Sequence, residues 1–379
     1  MKIGFASRYS PLDKKTWSGT SYYTLQQLKR FGEVEIFQFP LPKFLQEWLT
    51  TQKSINRRWF NKNLSVEFLQ SYTKHFSRKL SEELKKRPVD ILFVSASSQM
   101  LAYLHTDIPV IYMTDATFQQ LQGYYPSFSN LAGYNIKQGI ALDKKAFEKS
   151  AHCMLASDWC KTSATHDYGI NANKISVLPC GANLDKIPDA AELNFAPANT
   201  CRLLFLGVEW ERKGGDITLA AFNKLQEKKM DASLHIIGCV PPNDISAEKN
   251  ITVIPFLDKN KEEDFMKLHK IFLDTDFLLL PTRAECAGVV FSEASAYGIP
   301  SITTDTGGVS TYVKNGINGF TLPYNADGAE YANIIAELYH DKEKFTALKQ
   351  SSRHQYDTYL NWELWGRKFT ELAAGLIKK

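Results

Sequence analysis

Two carboxylates frame the most chemically loaded stretch of this chain: Pro281-Thr-Arg-Ala-Glu285-Cys-Ala-Gly288-Val-Val-Phe-Ser-Glu293-Ala-Ser-Ala-Tyr-Gly298-Ile-Pro300. The run Phe277–Leu280 reads as a strand ending at Pro281, and a short loop then carries Glu285. A helix opens near Gly288 and is stopped by Gly298 and Pro300. Gly288 lets a ligand approach the backbone, and the first helical amides, near Val289 and Val290, have no intrahelical acceptor. Such a helix start attracts anions and suits a diphosphate. Glu293 lies roughly 7–8 Å further along the axis, at ~1.5 Å per residue. Neither acid is expected on the phosphates, because like charges repel. Carboxylates accept paired hydrogen bonds, so vicinal hydroxyls suit them. A nucleotide-sugar carries hydroxyls on both sides of its diphosphate, and one acid for each side is the economical reading. The alternative for two acids at a loop–helix junction is an N-cap and a solvated helix residue.

Those loops need strands to carry them. Short strand-like runs alternate with longer segments of helical period along the whole chain, which is the pattern of parallel α/β sheets. In the first half the runs are Lys2–Ala6, Val34–Phe37, Asp90–Ser95, Pro109–Met113, Cys153–Ala156 and Ile175–Pro179, with helical stretches such as Tyr22–Phe31 and Val66–Lys86 between them. The second half starts over with Arg202–Gly207, Ser233–Gly238, Ile251–Pro255, Phe277–Pro281 and Ser301–Thr304. The stretch Asp185–Thr200 is strandless and rich in Ala, Asn, Asp and Pro, so the change of domain is expected there. Asn361–Lys379, amphipathic and aromatic through Trp362, Trp365 and Phe369, predicts a closing helix. The expected architecture is α/β, with two Rossmann-like domains of one design. Residues 1–184 form the first and residues 185–360 the second, with the helix over 361–379 following them.

The spacing of Glu285 and Glu293 resembles the Glu-x7-Glu motif of the retaining GT-B glycosyltransferases, and the chain resembles glycosyltransferase family 4 among them. The likeness continues through Thr306-Gly307-Gly308 and Asn315-Gly316-Ile317-Asn318-Gly319-Phe320. Upstream, Val177-Leu-Pro-Cys-Gly181-Ala-Asn-Leu-Asp185 is similar to the family's strand and loop before the interdomain crossing. Phe205-Leu-Gly207 through Lys213-Gly214 is similar to its first C-domain strand and phosphate loop. The resemblance implies parallel sheets facing across a cleft, an acceptor-side first domain, a donor-side second domain, and a C-terminal helix returning to the first. It implies transfer of a hexose-type sugar, with retention, from a UDP- or GDP-linked donor to a glycan, lipid-linked or small-molecule acceptor. No metal and no other cofactor is expected.

Carried over by position, the resemblance puts Glu285 on hydroxyls of the transferred sugar and Glu293 on the ribose. Gly288, Val289 and Val290 would offer amides to the diphosphate. Lys213 would neutralise the charge that grows on the phosphates as the glycosidic bond breaks. The family usually has an Arg directly after the glycine of its phosphate-loop strand. Here that residue is Val208, and Arg212 is the substitute at hand. A surface Arg–Lys pair is the plain alternative for these two. Where the family places a His after the Pro109–Met113 strand, this chain has Thr114-Asp115-Ala116-Thr117, so Asp115 takes the role or else caps the following segment. Gly19 stands where the family has a glycine-rich loop facing the diphosphate, or marks only a tight turn.

Composition excludes several other classes. With 379 residues, 44% hydrophobic and 23% charged, the chain is an ordinary globular protein of two domains. Six scattered cysteines form no Cys-x-x-Cys, which fits a reducing compartment better than a disulfide or zinc framework. Asp274-Thr-Asp276 has the look of a metal motif, but it precedes a buried strand and is assigned to the start of that strand. No Gly-x-Gly-x-x-Gly follows the first strand, which disfavours a dinucleotide-dependent dehydrogenase. A net charge of +4 is too small to imply nucleic acid. Residues 41–90 nevertheless hold eleven Lys/Arg against five acids, interleaved with Phe44, Leu45, Trp48, Leu49, Trp59 and Phe60, which suits either a solvated helix face or an anionic membrane surface. The opening residues read as a strand and not as a signal peptide, so the expected location is cytoplasmic, with the inner face of the membrane as a peripheral site. Epimerases or phosphorylases of the same layout, and a non-enzymatic two-domain sugar-binding protein, are the alternatives to transfer.

Overall fold

The computed structural model describes residues 1–242 and 249–378. Residues 243–248 and Lys379, the last residue of the expected closing helix, lie outside the described residues. The chain forms two compact units, one comprising Met1–Leu178 and the segment from Trp365, the other Pro179–Leu364.

The first unit holds a six-stranded parallel sheet in the order β2-β1-β3-β4-β5-β6. Its strands are β1 (Lys2–Ser7), β2 (Glu33–Phe37), β3 (Ile91–Ser95), β4 (Val110–Thr114), β5 (His152–Leu155) and β6 (Ile175–Val177). Every residue of β3 and β4 is buried, as a parallel sheet covered on both faces requires. The closing helix, Trp362–Ile377, sets Trp365, Phe369 and Ala373 one turn apart, all fully buried. The Trp365 and Phe369 rings stack on each other and meet Phe93 of β3 edge-on, each 5.7 Å from it. The amphipathic, aromatic tail is a helix, and its buried aromatic face packs on the sheet of the first unit.

The second unit repeats the design with the order β12-β11-β10-β7-β8-β9. Its strands are β7 (Cys201–Leu206), β8 (Ala232–Ile237), β9 (Ile251–Ile254), β10 (Phe277–Leu280), β11 (Ser301–Thr304) and β12 (Gly319–Leu322). β12 is an edge strand that the sequence reading did not separate from the Asn315–Phe320 motif. The strandless stretch from Asp185 packs on this unit. Arg353 donates to the Pro188 carbonyl, Lys349 to the Asn194 carbonyl, and the Phe195 ring fills the space beside Gly298. The chain changes unit earlier, at Leu178–Pro179.

In each sheet the strand order reverses once, between β1 and β3 and between β7 and β10. In an open parallel sheet, ligands bind beyond the carboxyl ends of the strands at such a switch point, where neighbouring loops diverge and leave a crevice. The loops after β7 and β10 are therefore where the second unit can hold a ligand, and they carry Arg212, Lys213 and Glu285.

Candidate functional site

After β7 the chain makes one helical turn, Trp210–Lys213, and then Gly214 turns left-handed with φ 77°. This presses the Gly214 backbone against the Pro281 carbonyl at the end of β10, where any side chain would collide. The Arg283 N–H donates to the Arg212 carbonyl at 2.7 Å, and the Thr282 hydroxyl reaches the same oxygen at 3.2 Å. With the loops joined, their side chains meet. Lys213 Nζ pairs with Glu285 Oε2, and Arg212 Nη1 stands 3.9 Å from that oxygen. Arg212 also donates to the Ala284 carbonyl at 2.9 Å and to Glu209 at 2.8 Å. The three side chains are 11–15% exposed, so their charges are poorly screened yet within reach of a ligand. The plain alternative of a surface Arg–Lys pair does not hold. Gly308 N–H donates to the Glu285 carbonyl at 3.0 Å, which ties the Thr306-Gly307-Gly308 motif to the carboxylate loop.

Gly288, with φ 87°, caps the helix Val289–Ala296. The amides of Val289 and Val290 belong to the first turn, which has no intrahelical acceptors. The helix is packed on nearly every side. Ser292 donates to the Cys180 carbonyl at 2.8 Å, and Ser295 accepts from Asn318 at 3.1 Å, so the second asparagine of the Asn315–Phe320 motif is a brace for this helix. Glu293 is only 3% exposed, and its Oε1 accepts a 2.6 Å hydrogen bond from Lys259 Nζ. The reading of the two acids as an N-cap and a solvated residue is thereby overturned: the cap is Gly288, and Glu293 is buried and paired. Lys259, in the loop after β9, has no motif around it, and its separation of 34 residues from Glu293 hides it from any local pattern.

The first unit holds the other two predicted residues. Gly19 has φ 84° and follows Trp17 and Ser18, themselves left-handed at φ 48° and 53°. Such a run is costly outside glycine, and strain of this kind concentrates at functional loops. The Trp17 indole N–H donates to Asp115 Oδ2 at 3.0 Å, linking the loops after β1 and β4. Asp115 is not a helix cap. Thr117 caps the short helix Phe118–Leu121, and Gln120 completes a capping box with it.

Behind that loop, Phe118 N–H donates to Asp143 Oδ2 at 2.8 Å, from the helix Gly133–Lys149. Burial pushes the Asp143 carboxyl up from 3.8 to about 6. The folded state thus holds this proton more tightly than the unfolded one. Its contribution is full below pH ~4 and is lost as the pH rises through about 6. At ~1.4 kcal/mol per pKa unit the neutral-pH penalty is on the order of 3 kcal/mol. Asp143→Asn keeps a carbonyl for the Phe118 amide. It is expected to raise the melting temperature at pH 7 and to flatten its fall between pH 4 and 6. A lower melting temperature at pH 7 with that fall intact would contradict this account.

Asp276, fully buried, pairs with Arg202 at 3.2 Å and with Lys349 at 3.8 Å, while Asp274 lies 3.5 Å from the same Arg202. Both are charge partners at the start of β10. Among the described residues, no group of three or more His, Cys, Asp or Glu stands together in a metal-binding arrangement, and no helix is long and apolar enough to cross a membrane.

The paired parallel sheets with loop-borne cations at a switch point are those of the GT-B fold. The sucrose-phosphate synthase of Thermosynechococcus elongatus superposes over 100% of this chain and 99% of its own, with a TM-score of 0.71 at 14% identity. Anabaena HepE, solved with UDP and glucose, superposes over 99% and 100% with a TM-score of 0.64 at 13% identity. The model of glycosyl transferases group 1 matches residues 193–355, and that of glycosyltransferase family 4 matches residues 22–186. The chain belongs to these family 4, group 1 glycosyltransferases. The D-inositol 3-phosphate glycosyltransferase of Nocardia farcinica is 27% identical over 195 residues, covering 47% of this chain and 42% of that one. The chain spans about half the length of the curated relatives it matches.

Proposed function

We propose that this chain transfers a sugar from a nucleoside diphosphate donor to an acceptor hydroxyl, with retention at the anomeric carbon and without a metal. The observation that carries this reading is the arrangement of Lys213 and Arg212 around Glu285, one loop from the amide end of the helix Val289–Ala296. In the proposed reaction the bond between the anomeric carbon and the diphosphate oxygen breaks, and negative charge grows on the leaving phosphate. Lys213, Arg212 and the Val289 and Val290 amides supply a preorganised positive field for it. The departing diphosphate takes the acceptor's hydroxyl proton on the same face while the acceptor oxygen bonds to the anomeric carbon, so no enzymic nucleophile is consumed. Glu285 accepts hydroxyls of the transferred sugar and Glu293 those of the ribose.

HepE was solved with UDP and glucose, which favours a UDP-linked hexose as the first donor to test. A thermal-shift panel of UDP, GDP, ADP and their sugars tests the donor reading, because a ligand at ~100 times its dissociation constant stabilises by roughly 2.7 kcal/mol. A UDP-sugar is expected to raise the melting temperature equally with and without EDTA. Failure of every nucleotide to do so would overturn the proposal, and a shift abolished by EDTA and restored by manganese would overturn its metal-free part. Proton NMR of the product's anomeric coupling tests retention.

The first unit presents a surface suited to a lipid-linked acceptor. On the helix Lys43–Phe60, Leu45 and Leu49 face the core, while Phe44, Trp48, Ile55 and Trp59 fall within an arc of about 60°, at ~100° per residue. These four side chains are 39–74% exposed, and Arg57 and Arg58 adjoin them in the last turn. An apolar stripe flanked by cations lies flat on an anionic bilayer. The protein is expected to float with vesicles containing phosphatidylglycerol and not with pure phosphatidylcholine, and Trp48→Ala/Trp59→Ala should lose most of that binding. Equal flotation of the double variant would remove this helix from the proposal.

A further inference from the structure

Glu293 alone is an incomplete receptor for a ribose. A carboxylate accepts hydrogen bonds but donates none, whereas each ribose hydroxyl both donates and accepts. Lys259 supplies what is missing. Its ammonium donates one hydrogen to Glu293 Oε1 at 2.6 Å and has two more to give, beside a carboxylate whose other oxygen remains an acceptor. Lys259 is 29% exposed on its side chain and Glu293 5%, so the carboxylate is sunk while the lysine is reachable from solvent.

The lysine is held in place by its own loop. Asp258 Oδ1 accepts from the Asn260 N–H at 3.0 Å and from the Asn260 side chain at 2.8 Å, and the Lys261 N–H bonds to the Asp258 carbonyl at 2.8 Å. The Asp258 N–H donates to Asp264 at 2.9 Å, which docks this turn onto the helix Glu262–Asp274. An ordered turn of this kind keeps the flexible lysine stem from spending its time elsewhere. The pair also orients a nearly buried carboxylate, since an unpaired charge at that depth is strongly disfavoured.

We propose that Lys259 is a specificity-determining residue of the nucleoside subsite, reading a ribose hydroxyl as acceptor while Glu293 reads it as donor. It rests on the donor-binding reading above and adds to its ribose contact at Glu293 a second residue, Lys259. The pair selects ribonucleotides over their deoxy forms, because a site built to bond a hydroxyl leaves its own buried polar groups unmet when that hydroxyl is missing.

The test is calorimetric titration of the full chain with UDP, 2′-deoxy-UDP and 3′-deoxy-UDP, for the wild type, Lys259→Met and Lys259→Arg. The wild type is expected to bind UDP roughly 10- to 100-fold more tightly than at least one deoxy form. Lys259→Met should lose about that factor for UDP while leaving the deoxy form nearly unchanged, and Lys259→Arg should recover part of it. Melting temperatures without nucleotide report on folding. If Lys259→Met does not fold, Lys259→Arg and Lys259→Gln carry the same comparison. Equal losses for UDP and both deoxy forms would make the lysine a general anchor and overturn the inference. Tighter UDP binding by Lys259→Met would also overturn it, marking the ion pair as a competitor of the ligand. UDP, GDP and ADP all failing to bind the wild type would sink the donor reading, and this inference with it.

Discussion

Glu285→Gln is expected to cut turnover of the preferred nucleotide-sugar by roughly 10²- to 10³-fold, the usual cost of removing one preorganised polar contact at a reacting centre. Binding of the nucleotide alone should hold or tighten slightly. Lys213 is paired with Glu285, so a ligand phosphate must compete with that carboxylate for the lysine. Glutamine keeps the size and a carbonyl but withdraws the negative charge, which leaves Lys213 more available to phosphate. The two readouts therefore move apart: a large fall in kcat with an unchanged or lower dissociation constant for UDP. Asp115→Asn, measured in the same assay, should likewise spare nucleotide binding. Normal turnover by Glu285→Gln would remove this residue from the reaction, and a large loss of UDP binding would reassign it to the nucleotide.

Lys213→Ala and Arg212→Ala should each lower kcat/KM by roughly 10²-fold or more, and the double variant should lose less than the product of the two. The reason is geometric. Both cations address one carboxylate oxygen, so removing either disturbs what the other holds. In the proposed metal-free reaction, they and the amides of one helix start supply the positive field that the leaving group needs. Arg212→Lys should also be impaired, because the guanidinium donates at once to the Ala284 carbonyl and to Glu209 while facing Glu285. A lysine ammonium cannot span those directions. Strictly multiplicative losses would show that the two act independently, and a fully active Arg212→Ala would leave Lys213 and the helix start as the phosphate anchors.

Much of this molecule is local and therefore legible in the chain. Eleven of the twelve strands among the described residues announce themselves as short apolar runs, most clearly β3 and β4, because a doubly covered parallel strand must be apolar on both faces. The closing helix follows from its aromatic period. Gly288 reads correctly as a helix start, since only a residue tolerant of positive φ makes that turn. The Thr117–Gln120 spacing is itself a capping signal, and giving it weight assigns the cap to Thr117 and frees Asp115 from that role.

Strand order and side-chain pairing are a different matter. No local pattern states that β7 lies beside β10, yet that adjacency alone brings Lys213 to Glu285 across 72 residues. Nor does any pattern state that the loop after β9 delivers Lys259 to Glu293. β12 escaped because four residues at a sheet edge carry too little periodicity to separate from the turn before them. The sequence by itself determined the element types, the helix start beside the two acids and the kind of chemistry they suit, because these depend on neighbours within a turn or two. The tertiary structure decided which cation answers which carboxylate, because ion pairs form wherever sheet topology brings loops together, at separations over which a sequence carries no period.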